Sequence, residues 1–300
     1  MKRHGKTALA ALIMAATVLA FAYYCHKHPH ILSQLRHMPP VTLAALVGLY
    51  AAWFVALVFI TRASLLLYNK RLGLAENFLF NAYSSLINFF GPGQSGPIFR
   101  GAYLKKRHGL GVKQYVFTLL VYYAWYAVVS ICMIGSGTLP WWQTAAAAMV
   151  VIAVSIGVLR WYTRRNHVTG STAPLWHVPH MALLGVMTLL QLVIQAVIFG
   201  IELHNVHGGA TAGQVLTYTG IANLALFVSL TPGAIGIREA FLAFSQNLHH
   251  IPGTTIVAAN IVDRAVFLVF LGLLFVLVMS LHARDKLQVR QLTTEPSDKT

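Results

Sequence analysis

The chain has 300 residues, of which 57% are hydrophobic and 10% charged, against about 25% charged in ordinary soluble domains. That composition excludes a soluble enzyme and a nucleic-acid-binding domain, because no water-soluble core can bury so much apolar surface. The formal net charge of +15 is accordingly read through the rule that Lys and Arg collect in cytoplasmic loops.

Residues 1–24 begin with Lys2, Arg3 and Lys6 and contain Ala20-Phe21-Ala22, a pattern like that of a secretory signal. The length of the apolar stretch Thr7–Tyr24, with further spans after it, favours an uncleaved first helix. Val41–Thr61, Tyr115–Ile134, Thr144–Val158, Met181–Ile201 and Thr255–Leu281 follow as nearly charge-free runs. Most approach the roughly 20 residues a helix needs to cross hydrocarbon. All Lys and Arg residues except Lys27, Arg36, Arg238 and Arg264 fall into four groups, at 2–6, 62–113, 160–165 and 284–299. These groups are expected in the cytoplasm, and the nearly bare loops between them outside. Both termini are then cytoplasmic, in a multi-pass protein of the cell inner, or cytoplasmic, membrane. A single transmembrane domain is expected over 1–283, followed by a short disordered cytoplasmic tail, 284–300.

The most informative pattern occurs twice. Phe90-Gly91-Pro92-Gly93-Gln94-Ser95-Gly96-Pro97 returns as Leu230-Thr231-Pro232-Gly233-Ala234-Ile235-Gly236, with Pro-Gly-x-x-Gly at a constant offset of 140. Each copy separates two helix-competent stretches, and a long apolar helix follows. A Pro-Gly break inside a bilayer leaves backbone groups unpaired, so it survives only when buried in protein or lining a wet cavity. Arg71 and Lys105-Lys106-Arg107 are both expected in the cytoplasm, yet an apolar stretch lies between them, so that segment must go in and come back. Treating the second copy alike keeps Arg284, Lys286 and Arg290 cytoplasmic. The expected fold is an all-α polytopic protein with about six spanning helices and two re-entrant helical hairpins. The halves, about 41–160 and 180–283, form an inverted repeat. The alternative is eight full spans, with the two motifs as ordinary turns.

The second helix of each hairpin begins at the break, so its free N–H groups and the positive end of its dipole form an anion site. Pro92, Gly93, Ser95, Gly96, Pro232, Gly233 and Gly236 are therefore candidate substrate-binding positions, with Ser95 as a cap for its helix. An arginine at membrane depth costs about 2.5 to 3.5 kcal/mol on insertion scales, which makes Arg100 and Arg238 candidates too. Glu239, Asp263 and Arg264 lie in the same apolar region; the two acids are expected to neutralise Arg238 and Arg264 across a cavity. Counting Arg100 leaves that cavity positive. The histidines near Cys25, the pair His249-His250 and the aromatic group Tyr122 to Tyr126 are read as surface or packing residues. No catalytic residue, metal site or cofactor is expected.

The paired Pro-Gly-x-x-Gly hairpins, with Arg100-Gly101-Ala102-Tyr103-Leu104-Lys105-Lys106 after the first and Gly236-Ile237-Arg238-Glu239-Ala240 after the second, resemble the flippase-like family. That family is typified by the transmembrane domain of lysylphosphatidylglycerol synthases, the multiple peptide resistance factor proteins, and the likeness covers roughly Val41 to Leu281. It implies a lipid translocator that moves a phospholipid or related anionic amphiphile between leaflets. The sequence stops at Thr300 without the family's aminoacyl-transfer domain, so the synthase reaction does not carry over. Many members also carry charges in the helix after the first hairpin, where this chain has Tyr122 to Tyr126. Two other readings stay open: a non-transporting subunit that presents lipid to an envelope or glycolipid enzyme, and an intramembrane enzyme acting on polyprenyl phosphate through Glu239 or Asp263.

Overall fold

The computed structural model describes residues 38–90, 95–166, 178–207, 209–228 and 237–292, and every regular element among them is helical. Five helices are long and apolar enough to cross a membrane: α1 (Pro40–Leu66), α4 (Val112–Thr138), α5 (Trp141–Asn166), α6 (Val178–His207) and α10 (Gly253–Leu292). They coincide with five of the six expected spans. The sixth, Thr7–Tyr24, lies outside the described residues, as do Cys25 and the histidines near it.

Between the spans lie shorter helices. α2 (Leu74–Phe90) and α3 (Ser95–His108) form the limbs of the first hairpin. α7 (Ala212–Ala225), a 3-10 turn (Leu226–Val228), α8 (Ile237–Phe244) and α9 (Gln246–His249) form the second. With 17, 14 and 14 residues, α2, α3 and α7 fall short of the roughly 20 that a crossing requires. The hairpin reading therefore fits these lengths better than eight full spans. Adding the offset of 140 to α1, α2, α3 and α4 lands on α6, α7, α8 and α10, so the repeat extends over every element except α5.

The packing obeys the same symmetry. α4 packs on α7 and, reciprocally, α10 on α2, so each span leans on the hairpin of the other half. α1 and α6 are equivalent helices packed against each other at the centre. The spans α1, α4 and α5 separate the start of α1 from the start of α6; an odd number of crossings makes the second half inverted. Leu46, Phe54, Phe199, Leu203, Val262 and Leu271 lie in the apolar core where α1, α6 and α10 meet.

Local chemistry holds these elements in place. Thr211 and Gln214 form a reciprocal capping box at the start of α7, with Gln214 N–H donating to Thr211 Oγ1 and Thr211 N–H to Gln214 Oε1. Gly109 turns the chain between α3 and α4 at a φ of 65°, where a side chain is strained. A Cβ on Gly220 of α7 would lie 2.6 Å from the Ser130 carbonyl of α4, so these helices owe their close approach to a missing side chain. A buried polar ladder fastens α2 to α1: Asn77 Nδ2 donates to the Val58 carbonyl, Asn81 Nδ2 to Asn77, and Thr61 Oγ1 to Asn81 Oδ1.

The C-terminal segment differs from expectation. Composition alone predicts a disordered tail from Arg284, whereas the helical backbone of α10 continues to Leu292. No glycine or proline interrupts 282–292, and Arg, Lys, Gln and Leu all favour helix.

Candidate functional site

The two hairpins meet around a cavity of about 280 Å³ walled by both halves. The first half contributes Tyr50, Asn88 and Arg100 together with Tyr122, Tyr123 and Tyr126; the second contributes Gln191, Phe227, Arg238, Asp263 and Arg264. Of the expected site residues, the structure thus gathers Arg100, Arg238, Asp263 and Arg264 on one surface, with Glu239 bound to Arg264 behind it.

The acids neutralise the bases crosswise. Arg238 Nη2 donates to Asp263 Oδ2 at 2.5 Å and Arg264 Nη2 to Glu239 Oε1 at 2.5 Å. Neighbours on α8 therefore pair with neighbours on α10, and the two bridges rivet the second hairpin to the last span. The bridges are largely desolvated, with side-chain exposures of 11% and 9% for Arg238 and Asp263 and 9% and 25% for Arg264 and Glu239. The Tyr50 hydroxyl donates to Asp263 Oδ1, bringing α1 into the cluster. The Arg238 guanidinium also lies 5.6 Å over the Phe199 ring of α6, a cation–π contact.

Arg100 is different. It forms no hydrogen bond or ion pair among the described residues, and its Nε is buried without a partner. Its helix α3 places it between the main cavity and a smaller one shared with Tyr115, Tyr122 and Tyr123. A guanidinium walled by aromatic rings and left without a counter-ion is the strongest anion-receiving feature on this surface.

The neighbouring amides add donors. Tyr122 OH donates to Gln191 Oε1 at 3.1 Å and Tyr126 OH to Asn223 Oδ1 at 3.0 Å. The remaining groups, Gln191 Nε2 and Asn223 Nδ2, are buried without partners among the described residues. Asn88 Oδ1 likewise accepts the Gly96 N–H at 3.2 Å. Of the two free amide groups, that of Gln191 belongs to a residue lining the cavity, a donor suited to an acceptor-rich group such as a phosphodiester.

Several expectations need correcting. Ser95 does not cap α3: its hydroxyl donates to the Ile87 carbonyl at 2.9 Å, tying the hairpin limbs together. Gly96 is where the hairpin limbs close on each other, since a Cβ there would lie 2.7 Å from both Asn88 Cβ and the Ser84 carbonyl of α2. Its N–H is also taken by Asn88, so the start of α3 is partly satisfied from within. Tyr122, Tyr123 and Tyr126 line the cavity rather than only packing helices. Pro92, Gly93, Pro232, Gly233 and Gly236 lie outside the described residues. His249 has a structural place, with Nε2 against the Leu242 carbonyl and Nδ1 accepting the Ile251 N–H.

Three residues were missed. Tyr50 and Gln191 carry no signal in their apolar runs. Glu202 reads as the first residue of an external loop, yet α6 continues to His207 and Glu202 is 1% exposed within the protein. An acid that ends an apolar run with another helical turn still to follow was the available hint.

Residues 8–274 match the family described as the lysylphosphatidylglycerol synthase TM region. The match spans most of the sequence, so the chain belongs to that family. No curated protein matches it.

Proposed function

From that family membership, we propose that the chain is a non-enzymatic lipid translocator. It moves an anionic phospholipid or related amphiphile across the cytoplasmic membrane, in which it sits with both termini in the cytoplasm. The observation that carries this reading is Arg100, unpaired among the described residues on a cavity built by both inverted halves. A phosphate placed there meets Arg100 and the amide donors of Gln191, while the acyl chains stay in lipid beside the apolar outer faces. Because the halves are inverted and the cavity is shared between them, rocking one half against the other exposes the same headgroup site to either leaflet in turn. The ion pairs of α8 with α10 keep the second hairpin rigid during that motion.

The test is lipid transfer in vesicles of phosphatidylcholine reconstituted with the full chain and a fluorescent phosphatidylglycerol. Transfer by the wild type, and its loss in Arg100→Ala with helical content preserved, supports the reading. Transfer no faster than in protein-free vesicles overturns it.

A second reading rests on α5, which lies outside the repeat and buries only Leu159 against the other described residues. Its open apolar face suits a neighbouring membrane protein as well as lipid, in keeping with a subunit that presents lipid to an envelope or glycolipid enzyme. Co-purification with such an enzyme, in the absence of transfer by the chain alone, favours that reading.

A further inference from the structure

Beyond the lipid site lies a buried carboxyl that the translocation cycle just described does not use. Glu202 of α6 is 1% exposed, and its Oε1 has no hydrogen-bond partner among the described residues. Phe199 precedes it by one helical turn on the same face. That face is fixed by the Arg238 guanidinium over the Phe199 ring and by Tyr218 of α7, edge-on to the same ring at 5.4 Å. The groups around Glu202 are Arg238 of α8, Asp263 of α10, Tyr50 of α1 and Tyr218 of α7. Behind these, Glu239 is bonded to Arg264 and the His249 ring of α9 lies against Tyr218.

The charge in this cluster is already balanced without Glu202. Arg238 is bound to Asp263, whose other oxygen accepts from Tyr50, and Arg264 is bound to Glu239. An ionised Glu202 adds an uncompensated anion beside one shared guanidinium, and a phosphate arriving in the adjacent cavity adds another. Anions in one desolvated space disfavour each other, so binding the phosphate and protonating the carboxyl assist each other by linkage.

We propose that Glu202 is a proton-binding site and that the lipid anion moves together with one proton as co-substrate. This rests on the translocation reading and adds its energy source and direction. One O–H bond forms at the Glu202 carboxylate as a proton arrives from water, and the same bond breaks on release; no electrons are exchanged. Glu202 lies little more than one turn from the end of α6 at His207. The charge distribution puts that end outside, so the proton is taken from the outer face. A monoanionic phosphodiester and its proton then cross as a neutral pair, and an inward proton gradient drives the lipid from the outer to the inner leaflet.

Two measurements test it on the full chain. In weakly buffered detergent with a pH indicator, at a series of starting pH values from acid to alkaline, adding short-chain phosphatidylglycerol is expected to draw protons into the wild type, up to about one per bound lipid where Glu202 is ionised in the lipid-free protein, and none into Glu202→Gln, with Glu202→Asp retaining uptake. In the vesicles described above, a gradient of one pH unit, acid outside, is expected to shift the labelled lipid inward by up to about tenfold for the wild type. Glu202→Gln is expected to show no response. Lipid binding by the wild type without proton uptake at any pH of the series overturns the proposal, as does unchanged uptake in Glu202→Gln. Proton-linked binding without any transfer supports the proton site and sinks the translocation reading; transfer without uptake does the reverse. The wild-type titration is decisive even if a variant fails to fold.

Discussion

Arg238 in the second hairpin and Asp263 in the last span, 25 residues apart in the chain, meet at 2.5 Å with both side chains about nine-tenths buried. Beside them Glu239 and Arg264 repeat the pairing with the charges exchanged. Removing one member of a buried pair strands the other, typically at about 3–5 kcal/mol, whereas removing both leaves no orphan. Asp263→Asn is expected to lower the thermal unfolding midpoint in detergent substantially. The double variant Arg238→Gln with Asp263→Asn is expected to recover much of the loss; a double variant as unstable as the sum of the singles would show that the two groups do not act as a pair.

Arg100 lacks such a partner, so its replacement is expected to spare the fold and affect binding. A charge-assisted hydrogen bond contributes about 1.5–3 kcal/mol, so Arg100→Ala is expected to weaken phosphatidylglycerol binding by about one to two orders of magnitude. Arg100→Lys keeps the charge but loses the planar fork, and an intermediate affinity is expected. Calorimetry or native mass spectrometry in detergent reads all three proteins, and equal affinities would remove Arg100 from the site.

Gly96 separates the limbs of the first hairpin at contact distance. Gly96→Ala is expected to force α3 away from the Ser84 carbonyl and to break the Asn88 and Ile87 bonds beside it. Gly73→Ala, with open space around its Cβ, serves as the control. The comparison is read as thermal stability, with a clear loss expected only at Gly96.

The mouth of the first hairpin is clasped by Glu76, which accepts from Tyr103 OH at 2.7 Å and faces His108 Nε2 at 2.8 Å. The Tyr103 hydroxyl, helped by His108 and Arg107, holds the Glu76 carboxyl below its ordinary value. A carboxyl depressed in the fold contributes stability above its unfolded value that is lost as pH falls through the folded one. Acidification below about pH 4.5 is therefore expected to loosen this mouth. Glu76→Gln is expected to be less stable at neutral pH and flat across the acid range, as followed by unfolding between pH 3 and pH 7.

The inverted repeat predicts opposite faces for the two hairpin mouths. Lys106 and Asn247 are exposed at the far ends of α3 and α9. In an otherwise cysteine-free background, Lys106→Cys is expected to react with an impermeant maleimide only from the cytoplasmic side. Asn247→Cys is expected to react only from outside. Labelling of both from one side would break the inversion and, with it, alternating exposure of the cavity.

By itself the sequence determined the elements and their order. Apolar runs marked the five described spans, and Pro-Gly-x-x-Gly at a fixed offset marked the two hairpins. These are signals carried along one dimension, since crossing hydrocarbon is a matter of length and every backbone break inside it must be explained. The pairing of Glu239 and Asp263 with the two arginines was also legible, because few charges of opposite sign lie at that depth. The faces were decided by the tertiary structure. α1 and α10 are apolar on nearly all sides, so their periodicity cannot tell a lipid-facing position from one turned to another helix. That is why Tyr50 went unnoticed and why the tyrosines of α4 read as packing; Glu202 was hidden instead by a helix that runs past the end of its apolar stretch, and only the packing shows that α2 closes on Gly96. Which side of a helix meets protein depends on partners far away in sequence, and only their packing around the cavity supplies it.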